Sequence, residues 1–243
     1  MAARTPLPRT QFAALRGLAI ADDRLARCAA WLGLPSGNGK ADGGPTLALL
    51  DGPLGATESS SWLPPITAWI EPKADGDAQP SLALLTTRAG SVDLYINLTT
   101  ETANDLHLAG RVLTALAARH PLAQDRREDL ELALHEAISN ALVHGNLEVA
   151  GMKELSAAEL ERFSRDLVRQ MANPALSQRR LEVAVTLEPS SMAVEVADEG
   201  SGFHPAPMDC HGASGRGLDL IATVAESVEL RDGGRRIRMR FAL

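Results

Sequence analysis

Cysteine is nearly missing from this sequence. Cys28 and Cys210 are the only two in 243 residues. They sit in unlike contexts with no C-x-x-C spacing, so neither a disulfide framework nor a zinc cluster is indicated and a reducing compartment fits best. Long apolar runs are also missing: none approaches the roughly 18 to 20 residues of a membrane span. The opening stretch MAARTPLPRTQFAALRGLAIADD has two prolines and a short apolar segment ending in a double aspartate, so it lacks the continuous core of a secretion signal. A net positive charge is missing too. A formal charge of −7 and a pI near 5.4 argue against nucleic acid or an anionic membrane as the main partner, because binding phosphates in bulk needs a basic field. The expectation is a soluble, cytoplasmic protein.

What is present is an ordinary globular composition, 45% hydrophobic, arranged in two styles. Residues 1–90 hold Trp31, Trp62 and Trp69 and nine of the fourteen prolines, whereas residues 91–243 read as longer regular elements. That shift predicts a small α/β unit over 1–90 and a larger domain over 91–243. Breaker-rich linkers at 34–45 and 71–80 bound TLALL (46–50), ITAWI (66–70) and LALLTT (82–87), each short enough to be a buried strand. In the second unit, SVDLYINL predicts a strand. Leu106, Ala109, Leu113 and Leu116 then fall at helical spacing, with Thr102 and Asp105 spaced as a capping box.

A second helix is predicted from about Asp125 to His144, with Gly145 placed to end it, and a third begins at Ser156 and Glu159. Period-two alternation at Leu181, Val183, Val185 and Leu187, and again at Met192, Val194 and Val196, predicts an antiparallel pair. A short helix over 217–225, the strand SVELR and a final strand with Ile237, Met239 and Phe241 inward complete the chain. The order describes an α+β layer: helices on one face of a mostly antiparallel mixed sheet.

Three stretches carry candidate chemistry. In LHEAISNALVHGN, residues 134–146, Glu136, Asn140 and His144 stand four apart and form one polar line on a helix. A carboxylate and a carboxamide one turn apart can hold a divalent cation, and the carboxylate can take a proton. Taken alone, the line also fits a solvated helix edge. In VADEGSGF, residues 196–203, Asp198 follows a strand and Gly200 and Gly202 let the backbone approach a flat ligand, although a plain turn uses the same residues. In GASGRGLDL, residues 212–220, glycines precede a helix whose first N–H groups can face a phosphate, with Arg216 adding a charge. A capped linker would look similar.

Together and in this order, the three stretches resemble the N, G1 and G2 boxes of the superfamily that contains DNA gyrase, the heat-shock 90 chaperones, sensor histidine kinases and MutL. Within it, HEAISNALVHGN, VADEGSGF and ASGRGL look most like the anti-sigma-factor serine/threonine kinases. The resemblance spans about residues 91–243. It implies a histidine-kinase-like ATPase fold binding ATP and Mg²⁺. Glu136 would be the catalytic base, Asn140 the metal ligand, Asp198 the adenine contact, and Gly200 and Gly202 the turn beneath the base. His144, Gly215, Arg216 and Gly217 would lie near the phosphates, with Leu218 closing the motif. It also implies protein partners, a sigma factor or an antagonist protein, and often a homodimer.

The segment HPAPMDCHGAS is short for a lid over the nucleotide, which fits the switch kinases. No H-E-x-x-x-P dimerisation signature lies upstream. DGGRR at 232–236 stands where the family often has a G-T pair, a departure that bears on the adenine side. GNGKA at 37–41 lacks P-loop spacing. In the first unit, Asp22, Asp23 and Asp51 faintly resemble the acidic cluster of a phospho-receiver, with one expected strand absent and no lysine after the last. Besides a kinase, the residues also fit an ATP-gated binding module or the ATPase part of a histidine-kinase-like system.

Overall fold

The structure, a computed structural model, describes residues 12–36, 44–52, 59–73, 79–152, 154–202 and 216–243. Eight strands form one sheet in the order β1-β2-β3-β4-β5-β6-β8-β7. Strands β1 (Ala14–Leu18), β2 (Thr46–Leu50), β3 (Ile66–Ile70) and β4 (Leu94–Thr99) run parallel. β5 (Arg180–Glu188), β6 (Ser191–Ala197), β8 (Arg236–Ala242) and β7 (Ser227–Arg231) continue antiparallel. The predicted boundary near residue 90 therefore falls between two neighbouring strands of one sheet. The sequential order of β1 to β4 also differs from the 2-1-3 start of a receiver, and Arg24 forms an ion pair with Asp51 in the acidic cluster.

The helices pack in two places. α3 (Thr100–Asp105), α4 (Leu108–Ala117), α5 (Gln124–Ser139) and α8 (Arg216–Val224) lie on one face, packing with Ala48, Leu50, Ile96, Val183, Val194 and Met239. α1 (Asp22–Leu32) and α2 (Gln79–Ala89) cover the other face of the parallel half, against Leu47, Leu49 and Tyr95. Neighbours along each strand point to opposite faces. A continuous apolar run such as TLALL is therefore what a strand covered on both sides requires. α6 (Ala157–Met171) and α7 (Pro174–Ser177) form a satellite layer in which Phe163, Leu167 and Met171 pack on Leu147, Val149 and Leu176. Ser156 caps α6 by accepting from Glu159 N–H at 3.3 Å, as its spacing predicts.

Four local expectations need correction. LALLTT is not a strand but part of α2: Leu82, Thr86 and Ala89 are buried at helical spacing, while Leu84 is 71% exposed. Six residues were too few to display that period. The first helix of the second unit is two helices, broken at His107, which takes a left-handed φ of 49°. Its cap is Thr99, which accepts from Thr102 N–H at 3.2 Å, rather than Thr102 itself. Finally, α5 does not stop at Gly145. It passes into a π-helical turn over Asn140–Asn146, with Leu147 N–H donating to Leu142 O at 2.9 Å.

Candidate functional site

The π turn is the starting point, because a wider turn shifts the side chains that follow it and such turns concentrate at functional sites. Glu136 and Asn140 leave α5 in the polar line expected of residues four apart. Beyond them the turn delivers His144 and Gly145 to the same side. His144 Nδ1–H donates to Val149 O at 2.6 Å, so in the neutral ring Nε2 is left as an acceptor. These residues line a cavity of about 640 Å³ on the helix-covered face of the antiparallel half.

Gly145 is where two of the sequence stretches meet. A β-carbon on it would lie 2.5 Å from Asp198 Cγ, so only glycine lets the carboxylate lie against the turn. Gly200 presses in turn on the Gly145 carbonyl, leaving no room for a side chain. Asp198 follows β6, where its N–H donates to Arg235 O at 3.0 Å. Gly200 N–H donates to its Oδ1 at 2.8 Å, and Oδ2 has no donor among the described residues. Burial pushes the Asp198 carboxyl above the ordinary range, against the Gly200 N–H and the nearby charges of Arg235 and Arg179. A desolvated carboxylate lining a cavity can accept from an amino group.

The third stretch closes the far side. Gly217, in the first turn of α8, approaches α5 so closely that a β-carbon would sit 2.6 Å from Glu136 Oε2 and 3.0 Å from Asn140 Nδ2. Leu218 lines the cavity and packs on the core. Gly202, with φ of 88°, lines it beside Gly233 and Arg235. Thus Glu136, Asn140, His144, Asp198, Gly202, Gly217 and Leu218 converge on one cavity, and Gly200 supports its wall. Gly215 lies outside the described residues, and Arg216 is placed only as the first residue of α8.

Sequence reasoning missed one buried residue that builds this site. Asn146, fully buried, donates from Nδ2 to Thr100 Oγ1 at 2.8 Å and to Arg180 O at 3.1 Å, and accepts Glu199 N–H on Oδ1 at 2.8 Å. One carboxamide thereby ties the π turn to α3, to β5 and to the loop that carries Asp198. Its signal was a polar residue ending an apolar run, in HGN. Gly234 and Arg235, from the DGGRR departure, also line the cavity, as do Met152 and Phe163 from the α6 side.

A metal fits the donor set. Asn140 and Glu136 offer a carboxamide and a carboxylate, hard oxygen donors too few to cage a cation but suited to Mg²⁺, which takes its remaining ligands from phosphates and water. No helix among the described residues is long and apolar enough to cross a membrane.

No curated protein matches the chain. The family model described as the histidine kinase-like ATPase domain matches residues 99–241, the span that contains every residue of this cavity, and the chain belongs to that family.

Proposed function

We propose that the chain binds ATP with Mg²⁺ in this cavity and acts as a serine/threonine protein kinase of the anti-sigma-factor type. The observation that carries the reading is the convergence of Glu136 and Asn140, of Asp198 and Gly202, and of Gly217 on one hollow from three distant stretches of chain. Asp198 accepts a hydrogen bond from the amino group of adenine, with Gly202 giving the base room to lie flat. Asn140 and the first turn of α8 face the phosphate end, where backbone N–H groups and a helix dipole favour negative charge.

Transfer needs a base and an aligned phosphoryl group. Glu136 takes the proton from a serine or threonine hydroxyl of the partner. The new bond joins that oxygen to the γ-phosphorus, the bond to the bridging oxygen breaks, and ADP leaves. Mg²⁺, when bound, neutralises charge across the phosphates. The partner would be an antagonist protein, with a sigma factor as the regulated target, in a cytoplasmic and homodimeric assembly. Residues 1–90 serve a regulatory role.

Incubation with γ-labelled ATP and candidate antagonist proteins tests this. Label on serine or threonine is expected. Label on histidine would support a histidine-kinase-like system, and nucleotide binding without transfer would support an ATP-gated switch. Asn140→Ala should abolish Mg²⁺-dependent ATP binding, and Glu136→Ala should keep binding and lose transfer. Unchanged ATP affinity in the Asn140 variant overturns the site.

A further inference from the structure

A second cavity, of about 260 Å³, opens on the opposite face of the sheet. It lies where β3 and β4 end and β5 begins, with Asn97 and Arg180 on its floor, Leu82 and Leu85 of α2 as one wall, and Lys73 and Glu199 also lining it. Ligands of open parallel sheets bind outside the carboxyl ends of the strands, which is where this hollow sits.

Arg180 is the residue that needs explaining. Its Nε–H donates to Asn97 Oδ1 at 2.9 Å, and its Nη2 donates to Asn97 O at 3.1 Å and to Glu71 O. All three acceptors are neutral. Among the described residues the guanidinium forms no ion pair, and Glu71 and Glu199 act on it only from beyond that range. The Glu71 carboxylate is itself engaged by Thr99 N–H and Oγ1–H, at 2.8 and 3.0 Å. Burial accordingly pulls Arg180 below the ordinary arginine value. A desolvated cation normally has an anion beside it.

The ligand class follows from the other walls. Glu182, also lining the cavity, is already paired with Arg88 at 2.7 Å and Arg236 at 3.0 Å. With Glu199 beside it, a dianion such as phosphate meets repulsion, whereas a monoanionic carboxylate can accept from Nη1, the one guanidinium nitrogen whose donors no described residue takes. The leucine wall accepts an apolar body, and the volume limits it to a few carbons. We propose that this cavity binds a small organic carboxylate with a short apolar chain, its carboxylate on Arg180 and its chain on Leu82 and Leu85.

The site does not depend on the nucleotide reading, although the two cavities are close. Arg180 N–H donates to Glu199 Oε2 at 2.8 Å and Arg180 O accepts from Asn146, so the same residue touches the loop that carries Asp198.

The test uses the full chain with methyl-labelled leucine and, as probes, 4-methylpentanoate, the neutral 4-methylpentan-1-ol and inorganic phosphate. Saturable shifts of the Leu82 and Leu85 methyls are expected with the carboxylate, with the alcohol at least about tenfold weaker. Arg180→Gln should weaken the carboxylate roughly tenfold. Leu84→Glu, at an exposed position on the cavity wall that leaves the fold intact, should weaken it about threefold by repulsion. Absence of a saturable shift, equal affinity for the alcohol, a stronger response to phosphate, or unchanged affinity in both variants overturns the proposal.

Discussion

In the parallel half of the sheet, β2 is buried at all five positions. In the antiparallel half, β8 alternates buried Ile237, Met239 and Phe241 with partly exposed Arg236, Arg238 and Arg240. The first pattern needs helices on both faces and has them. The second has helices on one face only, and its other face is closed by charge. Arg236 meets Glu182 at 3.0 Å, Arg238 meets Glu195 at 3.3 Å and Arg240 meets Glu188 at 2.6 Å. The comparison separates two ways of finishing a sheet. The cavity of about 640 Å³ sits in the half with the lighter cover, where loops at the strand ends come together, while the doubly covered half holds Trp62 stacked on Trp69 at 4.7 Å.

The contrast can be broken outright by deleting residues 1–90. β4 is buried at every position and pairs with β3, so the fragment would bare an apolar edge strand, and aggregation on size-exclusion chromatography is expected. A soluble, folded, nucleotide-binding fragment would instead make the halves independent units. Next in size, Leu49→Ala should lower unfolding free energy by about 2–5 kcal/mol, because Leu49 is fully buried in the doubly covered half. Asn146→Ala should cost about 1–3 kcal/mol by stranding Arg180 O and the Glu199 N–H, and should also weaken nucleotide binding. Arg238→Ala, on the charged face, should cost no more than about 1 kcal/mol in denaturant titrations. A larger loss there would mean that the ion pairs hold the sheet as firmly as helices do.

The smallest expected effect is one of sign. Burial raises the Asp198 carboxyl, so the folded state disfavours its ionised form. The stability this group contributes is full below the ordinary carboxylate range and is lost as pH rises through the raised value. Asp198→Asn keeps an Oδ1 for Gly200 N–H. Its Tm should therefore match the parent at acid pH and exceed it at neutral pH, while its nucleotide binding falls.

The antiparallel half was the more legible in sequence, for a physical reason. A strand with one charged face alternates apolar with polar residues, as β8 does in burial and β5 and β6 do in sequence even where both of their faces are largely buried, which is why the three could be read directly. α6 announced itself by a serine cap and a long amphipathic run. In the doubly covered half, apolar residues point everywhere, so LALLTT could pass for a strand when only its continuation to Ala89 shows the helical period. The break at His107 depends on a left-handed backbone that nothing in its residue type demands. Glu136, Asn140, Asp198 and Gly217 stood out in the sequence as polar or glycine positions within recognisable stretches, and all four line the cavity. Gly145 was misread as a helix stop, since its purpose is clearance for a carboxylate that arrives from 53 positions away in the chain. Asn146 was overlooked because its partners are two backbone groups and a hydroxyl, which leave no pattern.

That asparagine also lets a single change of atom type test how the cavity wall is held. Asn146→Asp would exchange two donors for lone pairs facing Thr100 Oγ1 and the Arg180 carbonyl, turning attraction into repulsion with hardly any change in shape. A protein so altered would keep its outline and lose the knot that ties the π turn, α3 and β5 to the loop carrying Asp198.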